Sequence, residues 1–135
     1  MRAVLVCLAL FSLAGCGGSS DSGTGPGGGG GAAIAGSYTL KTVDNKTLPV
    51  AFTDSSLISG QLVVTDSGWV QTTIVKYVLG GNPAGDTLVL GGSWMVSGSN
   101  LTLYDFGNST TYTGTYTSTS INLTTKTATL LGYSK

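Results

Sequence analysis

One side chain in this sequence has the setting for covalent chemistry. Cys16 follows an apolar run over residues 3–11 and the small residues Ala14 and Gly15, so its thiolate, the one strong nucleophile of the segment, is open to an approaching enzyme. Elsewhere the inventory is thin. The chain has no His and no Glu, and of its two Cys the other, Cys7, lies within the apolar run, so that no Cys follows Cys16. The usual general bases, metal ligands and thiol nucleophiles are missing, which leaves Asp, Lys, Tyr, Ser and Thr. The expectation is a non-enzymatic protein with no cofactor and no metal. Asp44, Asp54, Asp66 and Asp86 each adjoin turn residues, where a carboxylate commonly caps backbone N–H groups. Asp105 is the least explained of the acids in the strand-forming region.

The segment that presents Cys16 reads as an export signal over residues 1–15, with one positive charge at Arg2, the apolar run, and small residues before the break. As a helix, residues 3–14 would be about 18 Å long, short of the roughly 30 Å that a membrane span must cross. Leu13-Ala14-Gly15-Cys16 matches the lipobox of bacterial lipoproteins. That resemblance implies cleavage before Cys16, a diacylglycerol on its sulfur and a fatty acyl chain such as palmitate on its new amino group. The chain is then expected to be exported and held to the cell envelope by its lipid, with the membrane as its first partner. Gly17 departs from the Asp that resembles an inner-membrane retention signal, which points to the outer membrane in a cell that has one.

Residues 16–35 are the lipidated Cys and a linker of Gly, Ser, Thr and Ala, including five consecutive glycines, Gly27 to Gly31. With no side chains to bury, this composition gives a flexible tether. Over residues 17–35 its r.m.s. span is roughly 25 Å and its extended limit about 65 Å. Past residue 15 the chain carries five Lys and six Asp and no Arg, so its side chains sum to about one negative charge. That balance gives no electrostatic basis for binding nucleic acid.

Residues 36–135 form a single domain of ordinary size. Their apolar period is two: Tyr38 and Leu40, Leu62 and Val64, Val75 and Tyr77, Trp94 and Val96, Leu101 and Leu103, Ile121 and Leu123. Strands are predicted over 36–43, 48–53, 57–65, 69–79, 86–96, 100–105, 110–117, 120–125 and 127–134, separated by Asp-, Asn- and Gly-rich turns. Short connections make antiparallel neighbours, and a meander of about eight or nine strands loses its edges most simply by curling into an up-and-down barrel. A Greek-key sandwich is the alternative, and it needs a long connection that is not visible here. Gly91-Gly92 suits a bulge or sharp bend. Trp94, just after it, is expected to pin the core.

Gly36-Ser37-Tyr38-Thr39-Leu40 resembles the first strand of lipocalin-like domains. The stretch around Gly92-Ser93-Trp94 and the closing Leu131-Gly132-Tyr133-Ser134-Lys135 are similar to small lipocalin-like domains of bacterial lipoproteins. The resemblance implies a lipocalin-like β-barrel, with Tyr38 where many lipocalins carry Trp and Lys135 at the place of their terminal Arg.

Tyr38, Trp69, Tyr77, Trp94, Tyr112, Tyr116 and Tyr133 fall on inward faces. They either fill the barrel or line a lumen for a small apolar or aromatic ligand. Val70, Ile74 and Val78 lie on the opposite face of their strand, with Val63 and Val89 beside them on neighbouring strands. That apolar face calls for a cover, either residues 48–52 folding across it or a protein partner. Two functions follow: an envelope interaction or structural module with a filled core, favoured by the short chain, or a carrier of a small apolar ligand.

The anchor is tested by metabolic labelling. Labelled fatty acid should enter the wild-type protein and not Cys16→Ala, which should stay unprocessed or appear in soluble fractions. Label in the variant would remove the lipobox reading.

Overall fold

Alternating apolar residues and two-residue turns leave this chain little choice but to zigzag, and it does so ten times. A computed structural model describes residues 34–135, and the signal segment, Cys16 and the tether up to residue 33 lie outside the described residues. The strands are β1 (Gly36–Val43), β2 (Lys46–Thr47), β3 (Val50–Ala51), β4 (Ser55–Thr65), β5 (Gly68–Leu79), β6 (Asn82–Ser97), β7 (Asn100–Asp105), β8 (Thr110–Tyr116), β9 (Ser120–Thr124) and β10 (Leu130–Ser134). From β4 to β10 each strand pairs with the next, and β1 pairs with both β10 and β4. Eight antiparallel strands therefore close into an up-and-down barrel, with β2 and β3 as short additions.

The strand pattern departs from expectation where turn residues mislead. Residues 80–85 read as one long turn, but only Gly80 and Gly81 make it, both at positive φ (59° and 84°). This is the connection that matches strand twist and that glycine accepts without strain. Residues 82–85 belong to β6, Pro83 included. The predicted strand 48–53 is instead the short β3, after a separate β2. Gly91-Gly92 makes no bulge: the β5–β6 ladder runs unbroken from Trp69↔Gly92 to Leu79↔Asn82. The irregularities lie in β4 between Leu57 and Ser59 and in β1 between Leu40 and Thr42. Gly92 has another purpose, because a β-carbon there would run into the carbonyl oxygen of Tyr104 where β6 first meets β7.

The core fills the end of the barrel at which the chain enters. Leu62, Leu101, Leu103, Ile121 and Leu123 are buried around Tyr38, whose hydroxyl donates to the Ile34 carbonyl at 2.7 Å. Ile34 is fully buried, so this residue, read from the sequence as tether, belongs to the barrel. Lys135 Nζ stands 5.0 Å from the centre of the Tyr38 ring and donates to the Ala35 carbonyl at 3.3 Å. First and last residues of the domain are thereby clasped across the barrel end.

The indole that pins the core is Trp69 and not Trp94. Trp69 is 2% exposed, meets Tyr112 edge-on at 6.0 Å, and donates through Nε1 to the Ser93 carbonyl at 2.9 Å. Trp94 faces inward but is only partly buried, and its Nε1 reaches the Thr65 carbonyl at 2.8 Å. The difference comes from what each indole faces: Trp94 lies opposite Leu103, whereas Trp69 lies opposite the side-chain-free Gly92 and fills the space that glycine leaves. Trp69→Ala should cost about 3 to 5 kcal/mol, and Trp94→Ala about 1 to 2 kcal/mol for partial burial and one hydrogen bond. Denaturant melts of the two variants check this ordering, and a larger loss at Trp94 would refute it.

Candidate functional site

The seven inward aromatic residues do not gather into one site. Tyr38, Trp69 and Tyr133 are buried in the packed core, while Trp94, Tyr112 and Tyr116 pack against it with part of their surface in solvent. Tyr77 lies further along β5, beyond the point where the barrel closes, and is half-buried.

Above the apolar core lies a band of inward polar groups. Gln71 and Thr73 are buried on β5, with Gln71 Nε2 donating to Thr73 Oγ1 at 3.1 Å. Asp105, buried at the end of β7, accepts from the Gly107 N–H at 2.9 Å and from Asn108 Nδ2 at 2.7 Å. It caps its own turn; Asp44 instead accepts from the N–H of Leu130 on the neighbouring β10, and Asp86, which lies inside β6 and not at a turn as its neighbours in the sequence suggest, accepts from the Thr87 N–H, both at 2.8 Å. The Tyr133 hydroxyl is buried without a hydrogen-bond partner. Burial, and then the neighbouring Tyr112, push its pKa far above the ordinary tyrosine value. Burial, and then Asp105, raise that of Tyr112. No group of three metal-ligating side chains occurs among the described residues.

The barrel does not close along its full height. β1 pairs with β4 only from Gly36↔Val64 to Thr39↔Gln61, and β7 pairs with β6 only from Gly92 to Ser97. The remaining lengths of β4, β5 and β6 continue past the rim as a three-stranded flap, joined by β3 along the free side of β4. Its inner face carries Leu57, Val75, Leu88 and Leu90. At the far end, an open groove of about 430 Å³ lies between Phe52 and Asp54 of the β3–β4 turn and Lys76, Tyr77 and Pro83 of the hairpin.

The outer face of the flap is the apolar surface that the alternation marks. Val70, Ile74, Val78 and Val89 are 42–65% exposed. Residues 48–52 do not cover them: Leu48 and Val50 turn the other way and pack on the core, because β3 pairs at the side of β4. Tyr104 and Phe106, ring centres 5.7 Å apart, extend the same face across β7 and are also exposed. Sequence reasoning missed these two because Tyr104 shares a short strand with the core residues Leu101 and Leu103, and Phe106 follows that strand in a turn. No protein-family model, no curated protein and no solved structure matches this chain.

The buried Tyr133 hydroxyl makes a measurable prediction. Its raised pKa belongs to the folded state, so the stability tied to the neutral phenol is complete below the unfolded value near 10 and declines as pH rises above it. Tyr133→Phe removes both the titration and an unsatisfied hydroxyl, so it should match or exceed wild-type stability at pH 7 and lose less between pH 10 and 12. Equal alkaline losses in the two proteins would contradict this.

Proposed function

We infer that this chain is a membrane-tethered, non-enzymatic module of the bacterial cell envelope, built on a lipocalin-like barrel and working through its outer surface. The single observation that carries the reading is the placement of apolar side chains. The interior is occupied by Tyr38, Leu62, Leu101, Leu103, Ile121 and Leu123, while Val70, Ile74, Val78 and Val89 stand in solvent on the flap. An exposed apolar face of that kind is a common mark of a binding surface. The lipobox at Cys16 and the Gly-rich linker supply the tether, which lets the domain turn over near its membrane. The groove between Phe52 and Tyr77 favours a second reading, a carrier of a small apolar ligand held at the barrel mouth.

A photo-crosslinking side chain placed at Ile74 should give discrete adducts in intact cells, and one at Thr124, exposed on the opposite wall in β9, should give none. Absence of adducts from Ile74, together with saturable binding of an apolar fluorophore that Tyr77→Ala abolishes, would exchange the first reading for the second.

A further inference from the structure

This inference rests on the outer-surface reading and names what that surface meets. Val70, Ile74, Val78 and Val89 stand on the outer side of β5 and β6, and Met95 and Phe106, 56% and 66% exposed, extend the same side. Its charges are as telling as its apolar groups. Of the five Asp among the described residues, Asp44, Asp54 and Asp66 stand in turns and Asp105 is buried. Asp86 lies opposite Val75, on the inner side of the flap. On the outer side of β5, β6 and β7 the one charged residue is Lys76, exposed between Ile74 and Val78. That makeup suits a lipid interface. Aliphatic and aromatic side chains enter it readily and a carboxylate does not, while a lysine lays its stem along apolar surface and holds its ammonium among phosphates.

The point at which the chain enters the barrel decides which surface is near. Gly36 pairs with Val64, Val64 with Trp69 and Trp69 with Gly92, so β1 starts two strands, about 10 Å, from the Val70 end of the apolar face. From there the face follows β5, about 26 Å from Val70 to Val78. Because Ile34 is buried in the barrel, residues 17–33 remain between the fold and Cys16. As a Gly-rich coil that length spans roughly 23 Å, and about 58 Å when extended. The whole face can therefore reach the membrane that holds the anchor. We propose that this face rests on the bilayer to which Cys16 is attached, with Val70, Ile74, Val78 and Val89 at the boundary of headgroups and acyl chains and Lys76 at the phosphates. The tether makes that second contact intramolecular, at an effective concentration on the order of mM. A face too small to hold a free domain on a membrane is then sufficient.

The test uses the lipidated full chain in vesicles of phosphatidylcholine with brominated acyl chains, which quench a fluorophore on contact. With Cys7 in the signal segment and Cys16 acylated, an introduced thiol is the one free to take the dye. A dye on Val89→Cys should be quenched at least fivefold more than one on Thr124→Cys, which stands exposed on the opposite wall. Adding Val70→Thr and Ile74→Thr, which keep the β-branched shape, should lower the Val89 quenching severalfold with the melting midpoint unchanged. Adducts from a photo-crosslinking side chain at Ile74 should have the mass of one phospholipid. Equal quenching at the two positions, none at Val89, or quenching that survives the Thr pair overturns the proposal. A chain recovered without lipid on Cys16 also overturns it, because nothing would then hold the face beside a bilayer. If Val89 is unquenched while Ile74 yields adducts of protein mass, the bilayer is excluded and the outer-surface reading stands, with a second copy as the occupant where the adduct has twice the chain's mass. If neither gives a signal, both fall.

Discussion

Four residue pairs between β1 and β4, from Gly36↔Val64 to Thr39↔Gln61, close this barrel. Much else follows from how short that closure is. At the height where β1 bridges β4 and β10, inward side chains are surrounded on all sides, and there Tyr38, Leu62 and Leu103 lose contact with water. Tyr38 belongs to the closing strand itself, and its hydroxyl and ring hold Ile34, where the chain enters the barrel, and Lys135, beyond the last strand. Above Gln61, β4 has lost β1 as a neighbour, and above Gly92 β6 has lost β7. The strands persist because β4, β5 and β6 still pair with one another and because Val, Ile and Thr favour the extended conformation. A closed core and an open flap are thus consequences of one register.

The sequence was informative where two signals coincide. β1 and β7 are bounded by Gly36 and Asp44 and by Asn100 and Gly107, and the alternation between those limits fixes both strands to the residue. It was uninformative where a residue has two meanings. Pro83 and Gly85 weaken a central strand but are tolerated on an edge, and nothing in their neighbours says that this half of β6 is an edge. Trp94 and Trp69 both alternate inward, so periodicity cannot rank them. The ranking depends on Gly92 standing opposite Trp69, a pairing between residues far apart in the chain. Ile34 reads as the end of a glycine-rich stretch until a barrel end exists for it to plug.

Asp105 shows the same limit on the side of chemistry. As a lone buried carboxylate at a strand end it invites a functional reading, and the structure gives it two donors within its own turn. Among the described residues, the polar interior amounts to that cap, the Gln71–Thr73 pair and the unpartnered Tyr133 hydroxyl.

The outer walls carry the remaining step. On β8 and β9 the exposed positions are Thr111, Thr113, Thr115, Asn122 and Thr124, whereas on β5 and β6 the equivalent positions include Val70, Ile74, Val78 and Val89. Thr and Val are nearly equal in shape and both are β-branched, so either satisfies the needs of a strand. They differ in what they require of their surroundings: a hydroxyl is at home in water, and the apolar isostere loses about 25 cal/mol for each square ångström left unburied. The chain uses Thr where its surface is only a surface. Its choice of Val and Ile on the flap is dictated neither by strand formation nor by the core, and the proposal of an outer binding surface rests on that difference.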